Sequence, residues 1–171
     1  MARIEVPVHL RWSDMDAYAH VNNVAMMVLL EEARIAAFWS APPGGPAAGG
    51  TGRAGGGPHA TAVLEAGPDA AVATFVARHE IEYLVPLPYL RDPVVVALWL
   101  GRMGGASLDI CYEVRDRPAA DPASVVHARA ESTLVLMDTA TGRPRRIGPA
   151  ERAVWEPYVE EPVALRRRTR A

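Results

Sequence analysis

The sequence predicts an α+β fold in which one long, largely apolar helix lies against a strongly curved antiparallel sheet of about five strands. Three observations carry that expectation. Residues 24–30 contain no polar side chain, and a helix apolar all round must be covered on more than one side, most economically by a curved sheet. From residue 70 onward the chain consists of extended segments rich in Val, Leu, Ile and Thr, separated by short turns, which is how antiparallel neighbours are joined. The order strand, helix, loop, strands then places a single helix before most of the sheet. With 171 residues, half of them hydrophobic, the chain suits one well-buried core, assigned to residues 1–160 as a single domain.

Residues 4–12 alternate, with Ile4, Val6, Val8, Leu10 and Trp12 on one side and Glu5, Pro7, His9 and Arg11 on the other. That is the pattern of a half-buried strand, and Pro7, lacking an N–H, puts it at a sheet edge or a bulge. The helix starts at Asn22 or Asn23, a favoured capping residue, and runs four turns to about Trp39. Residues 41–58 are almost entirely Pro, Gly and Ala; such a composition cannot offset its ordering entropy, so a flexible surface loop is expected there, read as a tolerated insertion in preference to a substrate lid. Further strands are expected over residues 71–84, 93–102, 106–115 and 124–137, with turn chemistry between them. The continuous apolar run Val94 to Leu100 predicts a strand covered on both faces. A brief helix over Pro149 to Trp155 follows, and residues 161–171 form a basic tail, with Arg166, Arg167, Arg168 and Arg170, read as solvated and disordered.

Composition narrows the function classes. Eighteen basic and twenty acidic residues give a formal charge of −2, which offers no global field for nucleic acid or an anionic membrane. The lone Cys111 excludes an intrachain disulfide and a Cys-rich zinc site, and fits a reducing cytoplasm. No apolar run reaches membrane-spanning length and no signal-peptide pattern is present, so a cytoplasmic protein is expected. Cys111 falls beside Asp109 and Glu113 on the polar face of its expected strand, where neighbouring carboxylates raise a thiol pKa, and is read as inert. His9, His59, His79 and His127 show no metal-ligand spacing, so no metal site is expected.

The chemistry concentrates at the start of the helix. Asp14, Asp16, His20, Asn22 and Asn23 lie within ten residues, next to a helix N-terminus whose free N–H groups and partial positive charge can receive a carbonyl oxygen gaining negative charge. Asp14 and Asp16 can also cap a turn, and Asn22 and Asn23 can cap the helix. Glu31, Glu32 and Arg34 in mid-helix are read as a polar patch facing solvent or a second subunit, although Glu32 could reach the site from the next turn.

Four segments carry a family resemblance in order. They are Arg11 to Asp16 followed by His20-Val21-Asn22-Asn23; Arg78 to Leu87; Gly104 to Ser107; and Leu134 to Asp138 with Thr141 to Pro144. Spanning residues 3–156, they resemble hotdog-fold acyl-thioester hydrolases of the 4-hydroxybenzoyl-CoA thioesterase and acyl-CoA thioesterase group. The first segment also resembles plant acyl-carrier-protein thioesterases. The resemblance implies a helix wrapped by the sheet and a homodimer, or a dimer of dimers, with sheets joined edge to edge and sites at the interface. It implies hydrolysis of an acyl-CoA or an acyl-carrier-protein thioester without a cofactor, coenzyme A being part of the substrate. Asp16 matches the carboxylate used as nucleophile or general base, and the backbone N–H near Asn23 matches the group that polarises the carbonyl. His20 matches a functional His of the plant pattern, but Tyr18 stands where that pattern has Asn, which weakens a copied Asp-Asn-His scheme. Arg102, beside the Gly104-Gly105 turn, is a candidate for the coenzyme A phosphates, with a plain surface Arg as the alternative. The rival readings are a non-catalytic hotdog module that binds acyl thioesters and, less well matched, a hotdog dehydratase.

Overall fold

The computed structural model describes residues 3–40, 59–65 and 67–166. The Pro/Gly/Ala-rich stretch 41–58 and tail residues 167–171 lie outside the described residues. Six strands form one antiparallel sheet: β1 (Ile4–Val8), β2 (Val72–Tyr83), β3 (Val94–Met103), β4 (Ser107–Arg115), β5 (Val126–Asp138) and the two-residue β6 (Arg143–Pro144). Their order is β1-β3-β4-β5-β2, with β6 added on β5, so the sheet has one short strand more than the sequence predicts. The helices are α1 (Asn23–Phe38) and α2 (Pro149–Trp155). Among the described residues no helix is long and apolar enough to cross a membrane.

Side-chain alternation decides which face of the sheet meets α1. Val94, Val96, Leu98 and Leu100 of β3, Leu108, Ile110, Tyr112 and Val114 of β4, and Ala128, Ala130, Leu134 and Leu136 of β5 share one core with Met26, Leu29, Leu30, Ala33, Ala37 and Phe38 of α1. Trp155 of α2 closes one end, edge-on to Phe38 at 6.1 Å, with its indole N–H donating to the Thr61 carbonyl at 3.0 Å. The 16-residue α1 is not enclosed on every side, as its apolar first turns had suggested. It lies against one face of one sheet, so only a stripe is buried and Val24 on the opposite side is 73% exposed.

β1 is an edge strand, which accommodates Pro7 opposite Val95, but it stops at Val8 rather than running to residue 12. The chain enters a 3₁₀ turn at Trp12–Asp14, which resets the alternation and turns Trp12 outward instead of into the core. The other edge belongs to β2, which among the described residues pairs only with β5. It is twelve residues long and exposes Phe75, Val76 and Tyr83.

β3 is buried on both faces because the chain after α2 runs along the far side of the sheet. The N–H of Glu160 donates to the Leu100 carbonyl at 2.9 Å, and the Trp99 indole donates to the Glu161 carbonyl at 2.9 Å. Trp99, Cys111, Val163 and Leu165 make a second small core there, with the Arg3 guanidinium 3.8 Å above the Trp99 ring. The solvated tail expected from residue 161 thus has its first residues, 161–166, running along the sheet. Cys111 is fully buried in this strap rather than on a polar face. Burial, more than the neighbouring Glu131 and Asp109, pushes its thiol up to about 11.

The core under α1 also holds a polar chain. Arg34 is 4% exposed, and its guanidinium donates to the Tyr112 hydroxyl at 3.4 Å and lies 3.5 Å from the Glu31 carboxylate. Pairing in the sheet sets Ser132 of β5 between Ile110 and His79, and His79 Nδ1 lies 2.7 Å from the buried Ser132 hydroxyl. Burial lowers the His79 pKa, the Arg34 charge lowers it further, and Glu31 partly opposes both.

Two outcomes follow from these contacts. A Cβ at Gly101 would stand 2.7 Å from Cys111 Sγ and 3.1 Å from the Pro162 backbone, so Gly101→Ala should push the strap off the sheet and cost about 1–3 kcal/mol in urea unfolding. Cys111, whose burial should shield it from a thiol reagent in the native protein, should then react without global unfolding. Because the folded pKa of His79 is depressed, the unfolded chain takes up its proton first as pH falls below the ordinary value. Stability is therefore lost from near pH 6.5 down to the folded pKa and levels off below it. Urea midpoints across that window should fall less steeply for His79→Gln than for the parent.

Candidate active site

The loop leading into α1 is built from backbone hydrogen bonds that give each polar side chain a separate task. Asp14 is 3% exposed. Its carboxylate accepts the Arg11 backbone N–H at 2.7 Å and the Arg11 side chain at 3.0 and 3.1 Å, so it holds the 3₁₀ turn and is not free for chemistry. Met15 then bridges to Val21, and the Asp16 N–H donates to the His20 carbonyl at 2.8 Å, closing a tight loop over residues 16–20. Ala19 at its tip has φ +61°, a left-handed conformation that costs a non-glycine residue roughly 1 kcal/mol. The closed loop around it holds that strain.

Asp16 lies inside this loop, half-buried. Its Oδ1 accepts the N–H of Tyr18 at 2.8 Å and of His20 at 3.1 Å, which fixes the carboxylate. Oδ2 has no hydrogen-bond partner among the described residues and remains the available oxygen. The loop is itself seated on residues 87–88: Val21 N–H donates to the Leu87 carbonyl at 2.8 Å and His20 bridges to Pro88. That segment is held in turn by the buried His127, whose Nδ1 lies 3.2 Å from the Val85 carbonyl and 3.1 Å from that of Pro86. Trp12 packs edge-on against Tyr89 at 5.4 Å on the same side.

Asn22 is the N-cap of α1, its side-chain oxygen accepting the Val24 N–H at 2.8 Å. Its own N–H donates to the Asp14 carbonyl at 2.8 Å, which ties the helix start to the 3₁₀ turn. The Asn23 N–H, one position into the helix, has no acceptor among the described residues. Asp16 and His20 are tied together within one closed loop, and Asn23 follows three residues later in the chain as the first residue of α1. The His20 imidazole makes no hydrogen bond among the described residues, and Tyr18 is 81% exposed with its phenol in solvent. Arg102 stands apart: it is exposed near the end of β3, just past the bulge at Gly101, and has no ion pair or hydrogen bond to the Asp16 loop. Among the described residues no three His, Cys, Asp or Glu side chains are grouped as metal ligands.

Such a junction can present a carbonyl oxygen to an unpaired helix N–H while a fixed carboxylate oxygen addresses the carbonyl carbon or a water beside it. A second feature escaped sequence reasoning. Between the C-terminal half of α1 and the first half of β2 lies a cavity of about 490 Å³, lined by Glu31, Arg34, Ile35 and Trp39 on the helix side and Val72, Thr74 and Val76 on the strand side. The signal for it was present in the helix. Met26, Leu30, Arg34 and Phe38 recur every fourth residue, so Arg34 sits in the buried stripe rather than on the polar side.

Similar folds are known. A structure of a predicted thioesterase from Bacillus stearothermophilus superposes with a TM-score of 0.67 at 23% identity, covering 95% of this chain and all of that one. A thioesterase-superfamily structure from Jannaschia gives 0.65 at 16% identity, with 88% and 79% covered. A thioesterase from Thermus thermophilus, solved in complex with coenzyme A and zinc, gives 0.58 at 25% identity, with 87% and 94% covered. No curated protein matches the chain. The model of the thioesterase-like superfamily matches residues 10–157, a span that takes in the Asp16 loop, α1, the sheet from β2 onward and α2, and the chain belongs to that superfamily.

Proposed function

We propose that the protein hydrolyses acyl-CoA thioesters to the free acid and coenzyme A, with acyl-carrier-protein thioesters as the second substrate class. The observation that carries this reading is the Asp16 carboxylate, fixed through Oδ1 by two backbone N–H groups on the loop that leads into α1, with Oδ2 without a hydrogen-bond partner among the described residues. The Thermus relative's complex with coenzyme A supports the choice of thiol.

In the proposed reaction the thioester carbonyl oxygen takes the Asn23 N–H, and the helix N-terminus stabilises the oxyanion that forms. Asp16 acts in one of two ways. As a nucleophile, Oδ2 bonds to the carbonyl carbon, the C–S bond breaks, coenzyme A leaves as thiolate, and water hydrolyses the resulting mixed anhydride. As a general base, Oδ2 takes a proton from water, whose oxygen attacks the same carbon and displaces the same thiolate. The low basicity of a thiolate removes the need for a strong general acid. The His20 side chain, free on the same loop, orients the water, and the reaction draws on protein groups and water alone. Arg102 is proposed as a contact for the coenzyme A phosphates. Acyl-CoA turnover implies a cytoplasmic setting.

The long unpaired edge of β2, carrying exposed Phe75, Val76 and Tyr83, supports pairing with a second copy, since a bare edge of that length invites another strand. Such a dimer, or a pair of dimers, would also cover the exposed side of α1.

Thiol release from acyl-CoAs of graded length, aromatic members included, tests the reaction. The parent should turn over at least one member, and Asp16→Asn should lose about 10²–10⁴-fold in kcat. Equal turnover by the variant removes Asp16 from the mechanism, and binding without turnover by the parent turns the reading to a thioester-binding module. Light scattering at micromolar protein should give at least twice the 18.4 kDa chain mass.

A further inference from the structure

Arg34 is an incompletely satisfied cation. A guanidinium carries five N–H donors in a planar fork, yet among the described residues Arg34, at 4% exposure, makes only the long contacts of 3.4 Å to Tyr112 and 3.5 Å to Glu31. Neither neutralises it well. Tyr112 is fully buried and burial raises its pKa, so it stays a neutral phenol. Glu31 is an i,i+3 neighbour whose side chain is 59% exposed, the kind of pair that contributes little. A buried cation whose one ion-pair partner lies 3.5 Å away and faces solvent is only partly compensated, and here it borders a cavity of about 490 Å³, within the size range of small-ligand pockets.

The position of this cation relative to the Asp16 loop gives the cavity a reading. At 3.6 residues per turn, the eleven residues from Asn23 to Arg34 complete just over three turns, so both lie on one side of α1, about 16 Å apart along its axis. Side chains lean back toward the helix start, which shortens the gap on the Arg34 side. Met27, half-buried, falls between them on the same strip, and Ile35, Val72 and Val76 add apolar cavity wall.

We propose that this cavity takes the far end of the acyl group and that Arg34 binds a carboxylate there, so that the preferred substrates are mono-thioesters of dicarboxylic acids. This deepens the thioesterase reading and rests on it. The thioester carbonyl sits at the Asn23 N–H, the methylene chain follows the half-buried Met27, and the terminal carboxylate meets the guanidinium fork in the bidentate geometry that suits Arg. Glu31 is then displaced toward solvent, where its carboxylate and that of Glu65 form an acidic rim. Arg34 is a specificity residue and takes no part in bond making.

The test compares dicarboxylyl mono-CoA thioesters, from glutaryl to sebacoyl, with plain acyl-CoAs of equal chain length, by kcat/KM and by calorimetric binding to the catalytically blocked Asp16→Asn protein. The expected result is at least a tenfold preference for one or more dicarboxylyl members in both measurements. Arg34→Met should abolish it, chiefly through KM. Glu31→Gln, at an exposed position where folding is not at risk, should raise it by freeing the fork. If plain acyl-CoAs are hydrolysed as well as or better than their dicarboxylyl counterparts, the Arg34 proposal is overturned while the thioesterase reading stands. If nothing is hydrolysed and nothing binds, both fall. An unchanged preference in both variants would assign the selectivity elsewhere and also overturns the proposal.

Discussion

The packing of one stripe of α1 against one face of the sheet is the interaction on which the rest of this structure depends. Leu29, Leu30, Ala33, Ala37 and Phe38 are almost completely buried against alternate residues of β3, β4 and β5. Each fully buried Leu or Phe contributes on the order of 2 kcal/mol by removal from water. Once the stripe is engaged, the helix direction is set, and with it the place where the first turn and its unpaired N–H groups emerge. The Asp16 loop is then built outward from that end, through Asn22 to Asp14 and through Val21 to Leu87. The chemistry proposed at the junction would thus inherit its rigidity from apolar contacts several turns away.

The same packing leaves a consequence on the other side. A helix laid on one sheet buries a stripe and exposes the remainder, which explains why a segment apolar all round has Val24 in solvent. The unpaired β2 edge and the open side of α1 lie next to the cavity between them, so the surfaces that a second subunit would cover border the space assigned to substrate. On the opposite face the strap after α2 performs the covering role, sealing Trp99 and Cys111 where an antiparallel sheet would otherwise meet water.

Much of this was legible in the chain because local physics dominated. The ends of α1, the boundaries of α2 and the four long strands agree with their sequence expectations to within a few residues, since Asn capping, Gly and Pro turns and alternation act over short range. Trp12 misled because alternation says nothing about where a 3₁₀ turn interrupts it. Cys111 misled for a different reason: its neighbours in sequence are carboxylates, but its cover, Pro162 and Val163, arrives from far along the chain. Arg34 belongs to the same class. Its buried position could be read from the four-residue spacing, but the setting of its guanidinium, between Glu31, the Tyr112 hydroxyl and the cavity against β2, is a property of three elements meeting, which no single segment reports. The cluster of polar residues before α1 could be read from the sequence, whereas the different hydrogen-bond partners of Asp14 and Asp16 needed the structure.

The central claim is spatial: a thioester carbonyl rests between the helix N-terminus and Asp16. A crystal structure of the Asp16→Asn protein with a non-hydrolysable acyl-CoA analogue, the thioester replaced by a ketone, measures it directly. The account predicts the carbonyl oxygen within about 2.7–3.1 Å of the Asn23 nitrogen, with residue 16 on the opposite side of the carbonyl carbon. An analogue bound with its carbonyl away from the start of α1, or with residue 16 out of reach of that carbon, would contradict it.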